Sequence, residues 1–99
     1  MSEITIYAII NPVTATPVYI GKSKNLPQRI KNHLANTSFK HNYDLWDWIV
    51  EMRDNDIIPE FKQVHICIDE QEAIIKERFY IKWYAMKHKL YNKINNKQL

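Results

Sequence analysis

Glycine is almost missing from this chain: Gly21 is the only one among 99 residues. Phosphate-cradling loops need several glycines, so nucleotide binding of that kind is excluded. Cysteine is as scarce. Cys67 stands alone, which rules out a disulfide within the chain and a four-cysteine zinc fold. No apolar run approaches the roughly 20 residues that a membrane helix requires. Met1-Ser2-Glu3 does not open a basic-then-apolar secretory leader. A reducing, cytoplasmic setting with no membrane partner is therefore expected. What the chain does have is bulk: three Trp, six Tyr and three Phe within a 45% hydrophobic composition exclude a disordered chain. The length suits one domain, spanning residues 1–99, with one modest core.

The net charge of +3 hides an uneven distribution. Residues 1–40 carry Lys22, Lys24, Arg29, Lys31 and Lys40 against Glu3. Residues 41–70 carry eight acids against Arg53 and Lys62. Residues 71–99 are basic again, from Lys76 to Lys97. A fold that joins the two ends would gain a basic side suited to a polyanion; an ordinary solvated surface has the same composition.

Ile4–Ile10 alternates well enough for a buried strand, Asn11-Pro12 opens a loop, and Val18–Gly21 reads as an antiparallel partner. Tyr7 and Tyr19 would then project from one face. Ser23 or Asn25 caps a helix that tolerates Pro27 in its first turn, with Leu26, Ile30 and Leu34 as its apolar stripe. Arg29 and His33 lie one turn apart on a neighbouring face. Asn42 caps a second helix over 43–54, with Leu45, Trp46, Ile49 and Met52 pointing inward. Val64, Ile66 and Ile68 alternate in a third strand. Asp69 caps a long helix to about His88, apolar on two sides: Ile75, Phe79, Trp83 and Met86 on one, Ala73, Ile74, Tyr80, Ile81 and Tyr84 on the other. The expected fold is α+β: a small three-stranded antiparallel sheet flanked by helices.

Glu77 falls in the middle of that second apolar set. A carboxylate among apolar neighbours is costly unless a cation or donor meets it, so Glu77 is expected to be salt-bridged or metal-bound. His65 and Cys67 share one strand face, a conceivable zinc pair with no third or fourth ligand evident in the sequence. Trp46 and Trp48 could stack on bases, although at least one of them suits the core.

These residues, in order, resemble the signature of the GIY-YIG nuclease family. Ile6-Tyr7, then Tyr19-Ile20-Gly21, then Arg29 and His33 look like its first motifs and first helix. Glu77-Arg78-Phe79-Tyr80-Ile81-Lys82 looks like its third helix, and Leu90-Tyr91-Asn92 like its terminal motif. The resemblance runs from about residue 4 to 96 and is closest to phage and intron homing endonucleases. Thr5 stands where the first motif has Gly. Family homing enzymes usually carry an appended DNA-binding domain; here a single domain without one is expected.

The resemblance implies Tyr7, Tyr19, Arg29, His33, Glu77 and Asn92 as the catalytic set. Tyr7 would be the general base, with Tyr19 beside it; an ordinary phenol pKa near 10 would have to be lowered by a cation such as Lys22 or Arg29. Both tyrosines equally suit packing between sheet and helix. Arg29 would hold the scissile phosphate through its planar fork, and His33 would share proton transfer or orient Tyr7. Glu77 would hold one Mg²⁺ or Mn²⁺, and Asn92 would hydrogen-bond within the site or stabilise a turn. Lys22, Lys24 and Lys31 would track the nucleic acid. The expected activity is metal-dependent hydrolysis of DNA, RNA not being excluded, with weak intrinsic sequence preference. Any specificity would come from a partner, a homodimer or DNA shape. The competing expectation is a non-catalytic module that binds nucleic acid or protein through the same fold.

Overall fold

The computed structural model describes residues 3–35 and 42–92. Lys40, Lys93 and Lys97 of the two basic ends lie outside the described residues. The elements run β1 (Ile4–Asn11), β2 (Thr16–Ser23), α1 (Leu26–Leu34), α2 (Tyr43–Asp54), β3 (Glu60–Cys67) and α3 (Glu70–Ala85). This is the expected α+β fold, and all three strands are antiparallel in the order β2-β1-β3.

The most apolar strand, β1, takes the centre. Its two faces bury different sets. Ile4, Ile6 and Ala8 join Ile20, Cys67 and Ala73 under α3, with Tyr80, Ile81 and Tyr84 packed against them. Tyr7 and Ile9 join Val18, Leu45, Trp48 and Ile49 on the α2 side. Ala8 is among the most covered residues, at 1% exposure.

Two register shifts re-aim side chains. One, between Ile9 and Ile10, leaves Val18 as the extra residue of β2. The other pairs Ile6 with His65 and Tyr7 with Gln63, leaving Val64 extra in β3. A bulge turns the strand beyond it to the opposite face. Phe61 consequently packs on the α2 side, while Cys67 is fully buried under α3. Of the alternating Val64, Ile66 and Ile68, Val64 packs against the core under α3, Ile66 is exposed, and Ile68 lies outside the strand, 69% exposed.

Capping follows the sequence. Asn25 Oδ1 accepts from Gln28 N, Asn42 Oδ1 from Leu45 N, and Asp69 Oδ1 from Glu72 N. The positive φ of Asp56 closes α2, with Ile57 N donating to Met52 O and Asp56 N to Arg53 O. In α2 the core Trp is Trp48 rather than Trp46, because Trp48 shares a face with Leu45 and Ile49. Helix α3 was expected to bury two apolar sides. It covers part of one: Ala73 is buried and Tyr80, Ile81 and Tyr84 are partly buried, whereas Ile74 on that side and Ile75, Phe79, Trp83 and Met86 on the other are exposed, since a three-stranded sheet covers only one side of the helix.

The C-terminal segment laces the free edge of β2. Tyr91 N donates to Val18 O at 2.6 Å. Asn92 closes a two-way bond with Ile20: its Oδ1 accepts from Ile20 N at 2.8 Å and its Nδ2 donates to Ile20 O at 2.7 Å. Asn42 Nδ2 donates to Tyr91 O, tying the start of α2 to the same segment. An exposed strand edge is a pairing hazard, and here it is partly occupied.

Gly21 is needed for space rather than for backbone freedom, for its φ is not positive. It pairs with Tyr7, and a Cβ built on Gly21 would lie 2.5 Å from the Tyr7 phenol oxygen. The ring is 1% exposed and cannot swing into solvent. Gly21→Ala is therefore expected to cost about 1–3 kcal/mol by overpacking, measured by denaturant unfolding. A loss below about 0.5 kcal/mol would mean that the ring yields freely.

Candidate active site

Three elements aim rings at one point. Tyr7 from β1 and Tyr19 from β2 lie on the same face, as the alternation predicts, with ring centroids 6.4 Å apart. His33 from α1 completes the group, its ring 5.9 Å from Tyr7 and 5.8 Å from Tyr19. The Tyr7 hydroxyl and His33 Nε2 are hydrogen-bonded at 2.8 Å, away from solvent. His33 is 3% exposed and is the buried residue of α1. The expected stripe of Leu26, Ile30 and Leu34 is only half-buried, so α1 is rolled to point His33, rather than its aliphatics, at the sheet.

Burial sets the protonation states. It holds the Tyr7 phenol well above its ordinary value, helped by Tyr19 and Glu77 and opposed by Arg29. Tyr19 is raised by burial and by Glu77, again against Arg29. Burial and the Arg29 charge push His33 down to about 4. At neutral pH the pair is thus a neutral phenol and a neutral imidazole. In the tautomer with hydrogen on Nδ1, the phenol donates to Nε2. The structure therefore opposes the expected lowering of the Tyr7 pKa: desolvation outweighs the one cation that acts on it.

Glu77 is half-buried on α3, and burial raises its pKa against the pull of Lys22, Arg29 and Arg78. Arg29 acts on Tyr7, Tyr19, His33 and Glu77 alike, which marks these groups as one electrostatic cluster. A carboxylate that has lost part of its hydration, mounted on a helix, fits a hard divalent cation that keeps most of its waters.

The site also holds residues that the sequence reading passed over. Glu70 accepts from Lys22 Nζ at 3.2 Å, lies 3.9 Å from Lys24 Nζ, and adds to the rise at Glu77. Its spacing of seven from Glu77 places both on one face of α3, the signal that could have found it. Phe61 stands 6.0 Å from the His33 ring. Two of the three lysines expected to meet nucleic acid are thus paired with a carboxylate, and Lys31 is exposed on α1. The two basic ends do come together through Tyr91 and Val18, but Glu70 from the acidic middle sits among them. Asn92 does not share the ring cluster. Its amide is spent on the Ile20 backbone, between Tyr19 and Gly21, so it positions the strand.

The family model of the GIY-YIG catalytic domain matches residues 3–92. The chain belongs to the GIY-YIG family. No curated protein and no solved structure matches it. GIY-YIG proteins are endonucleases, generally dependent on a divalent metal, so membership indicates nuclease-type function and a nucleic acid substrate. Among the described residues, no helix is long and apolar enough to cross a membrane.

The depressed His33 pKa has a consequence for stability. The unfolded chain takes up a proton near pH 6.5, while the folded chain resists until about pH 4. The associated stability is complete above pH 6.5 and is lost as the pH falls to about 4, a difference of roughly 3 kcal/mol. Comparing denaturant unfolding of wild type and His33→Gln between pH 7 and 4 isolates this group. Wild type should lose up to that amount more than the variant, and parallel curves would contradict the burial of a neutral imidazole.

Proposed function

We propose that the protein is a divalent-metal-dependent endonuclease that hydrolyses DNA phosphodiester bonds with limited intrinsic sequence preference. The observation that supports this most is the buried Tyr7–His33 hydrogen bond inside the field of Arg29 and Glu77. Hydrolysis needs a base for water, positive charge at the phosphoryl oxygens and help for the leaving oxygen.

Tyr7 and His33 supply the base as a relay. The attacking water gives its proton to the Tyr7 hydroxyl while the phenol proton moves to His33 Nε2. No free phenolate is required, so the raised Tyr7 pKa is no obstacle. The imidazole alone, with its pKa near 4, is a weak base. A phosphate entering beside Arg29 offsets the guanidinium charge and raises the basicity of His33 as substrate arrives. Arg29, half-buried at the base of α1, holds the phosphoryl oxygens through its fork. Tyr19 packs against both rings and fixes their angle.

Glu77 would hold Mg²⁺ or Mn²⁺, which when bound stabilises negative charge on the phosphoryl and leaving 3′ oxygens. The P–O3′ bond breaks, and O3′ takes its proton from solvent. Lys22 and Lys24 stand ready to exchange the Glu70 carboxylate for backbone phosphates. A purely binding role fits less well, because a half-buried Glu77 carboxylate would repel a polyanion unless a cation stood between them.

Supercoiled plasmid incubated with the protein and Mg²⁺ should be converted to nicked and then linear forms. Excess chelator should abolish the conversion, and Glu77→Gln should slow it by at least about 100-fold. Equal cutting by Glu77→Gln, or cutting that survives chelation, would overturn the assignment of Glu77. No cutting by wild type, with duplex binding intact, would favour the binding module.

A further inference from the structure

The sequence offers His65 and Cys67 as a ligand pair with no obvious companion. The fold supplies one. His65 pairs with Ile6 and Cys67 with Ile4, so both lie on the α3 face of the edge strand β3. The chain then turns through Ile68 and Asp69 and enters α3, which brings Glu72 back over the end of the strand. One donor atom each from His65, Cys67 and Glu72 lies within 4.8 Å of the others.

We propose that His65, Cys67 and Glu72 form a binding site for a thiophilic divalent cation of the zinc class, distinct from the Glu77 site, that pins the start of α3 to β3.

The donor chemistry decides the class of ion. Imidazole nitrogen and thiolate sulfur select Zn²⁺ or Co²⁺, whereas Mg²⁺ prefers an all-oxygen shell. A tetrahedral zinc site with metal–ligand distances of about 2.0–2.3 Å sets its donors roughly 3–4 Å apart, so modest side-chain rotation closes the observed group. Three protein donors leave the fourth position for water.

The surroundings are also built for this. Glu72 is not a loose surface carboxylate. Its Oε1 accepts from Ile68 N at 2.9 Å while its own N–H bonds Asp69 Oδ1 at 2.8 Å, so the helix cap fixes the side chain and leaves Oε2 for an ion. Cys67 is fully buried beside Ala73, on the rigid side of the site. The His65 ring leans on Tyr80, with centroids 6.2 Å apart. On binding, a cation would replace the Cys67 thiol proton, which leaves to solvent. The ion would bridge the last turn of β3 and the first turn of α3, the helix that carries Glu70 and Glu77. None of this rests on the nuclease reading.

The test is Co²⁺ titration of the reduced, chelator-treated protein, followed by Zn²⁺ competition in excess Mg²⁺. Wild type should bind one equivalent of Co²⁺ with a thiolate-to-cobalt charge-transfer absorption that Zn²⁺ abolishes and Mg²⁺ does not. Cys67→Ser should lose that absorption. His65→Gln and Glu72→Gln should bind Zn²⁺ at least about 100-fold more weakly, and Glu77→Gln should bind as wild type. Zn²⁺ should raise the Tm of wild type and not that of His65→Gln. If Cys67→Ser fails to fold, the half-buried His65 still carries the test. Absence of the charge-transfer band in wild type, unchanged affinity in His65→Gln, or lost affinity in Glu77→Gln would each overturn the proposal.

Discussion

A buried phenol and imidazole hydrogen-bonded at 2.8 Å are the constraint around which this small protein is arranged. A buried polar group is tolerated only with its partner in place, because an unmade bond there costs the full desolvation penalty. The Tyr7–His33 pair therefore restricts everything near it. β2 must carry a residue without a side chain opposite Tyr7, and it carries Gly21. α1 must turn its histidine inward and leave its aliphatics half-covered. The edge of β2 must hold its place, and Asn92 grips it at Ile20, next to Gly21. The same burial that makes the pair costly keeps both members neutral at neutral pH.

Charge is organised around that pair rather than on it. Arg29 favours the Tyr7 phenolate and opposes the His33 cation, and Glu77 does the reverse to the phenol. The two side chains come from α1 and α3, on opposite sides of the chain order, and the sheet is what brings them into one field. Lys22 and Lys24 meet Glu70 at the rim, where exposed ion pairs contribute little to stability and exchange readily for other anions. The rim thus balances its own charge.

Much of this could be read from the sequence, and the failures have physical causes. Strand alternation put Tyr7 and Tyr19 on one face, and side-chain oxygens at Asn25, Asn42 and Asp69 marked the three helix starts. In β3 the apolar alternation alone does not give the buried face, because a bulge at Val64 breaks the two-residue period, and no local residue announces it. α3 was misread because an apolar stripe signals a need for cover, whereas the amount of sheet available decides whether cover exists. Phe79 and Trp83 stack on each other in solvent, with Lys76 and Lys87 over their rings. The sequence places Asn92 in its motif, and only the fold shows that its amide faces the Ile20 backbone. Glu70 and Glu72 were overlooked because exposed acids at a helix start are ordinary, and only the fold shows what lies opposite them.

In the proposed mechanism Tyr7 and His33 work as one proton-transfer unit. The most direct measurement is a double-mutant cycle on single-turnover plasmid nicking, using Tyr7→Phe, His33→Gln and the double variant. Members of one relay fail together, so the double variant should be no slower than the worse single variant. Losses that multiply, each variant contributing its full factor in the presence of the other, would contradict the relay and separate the roles of the two residues.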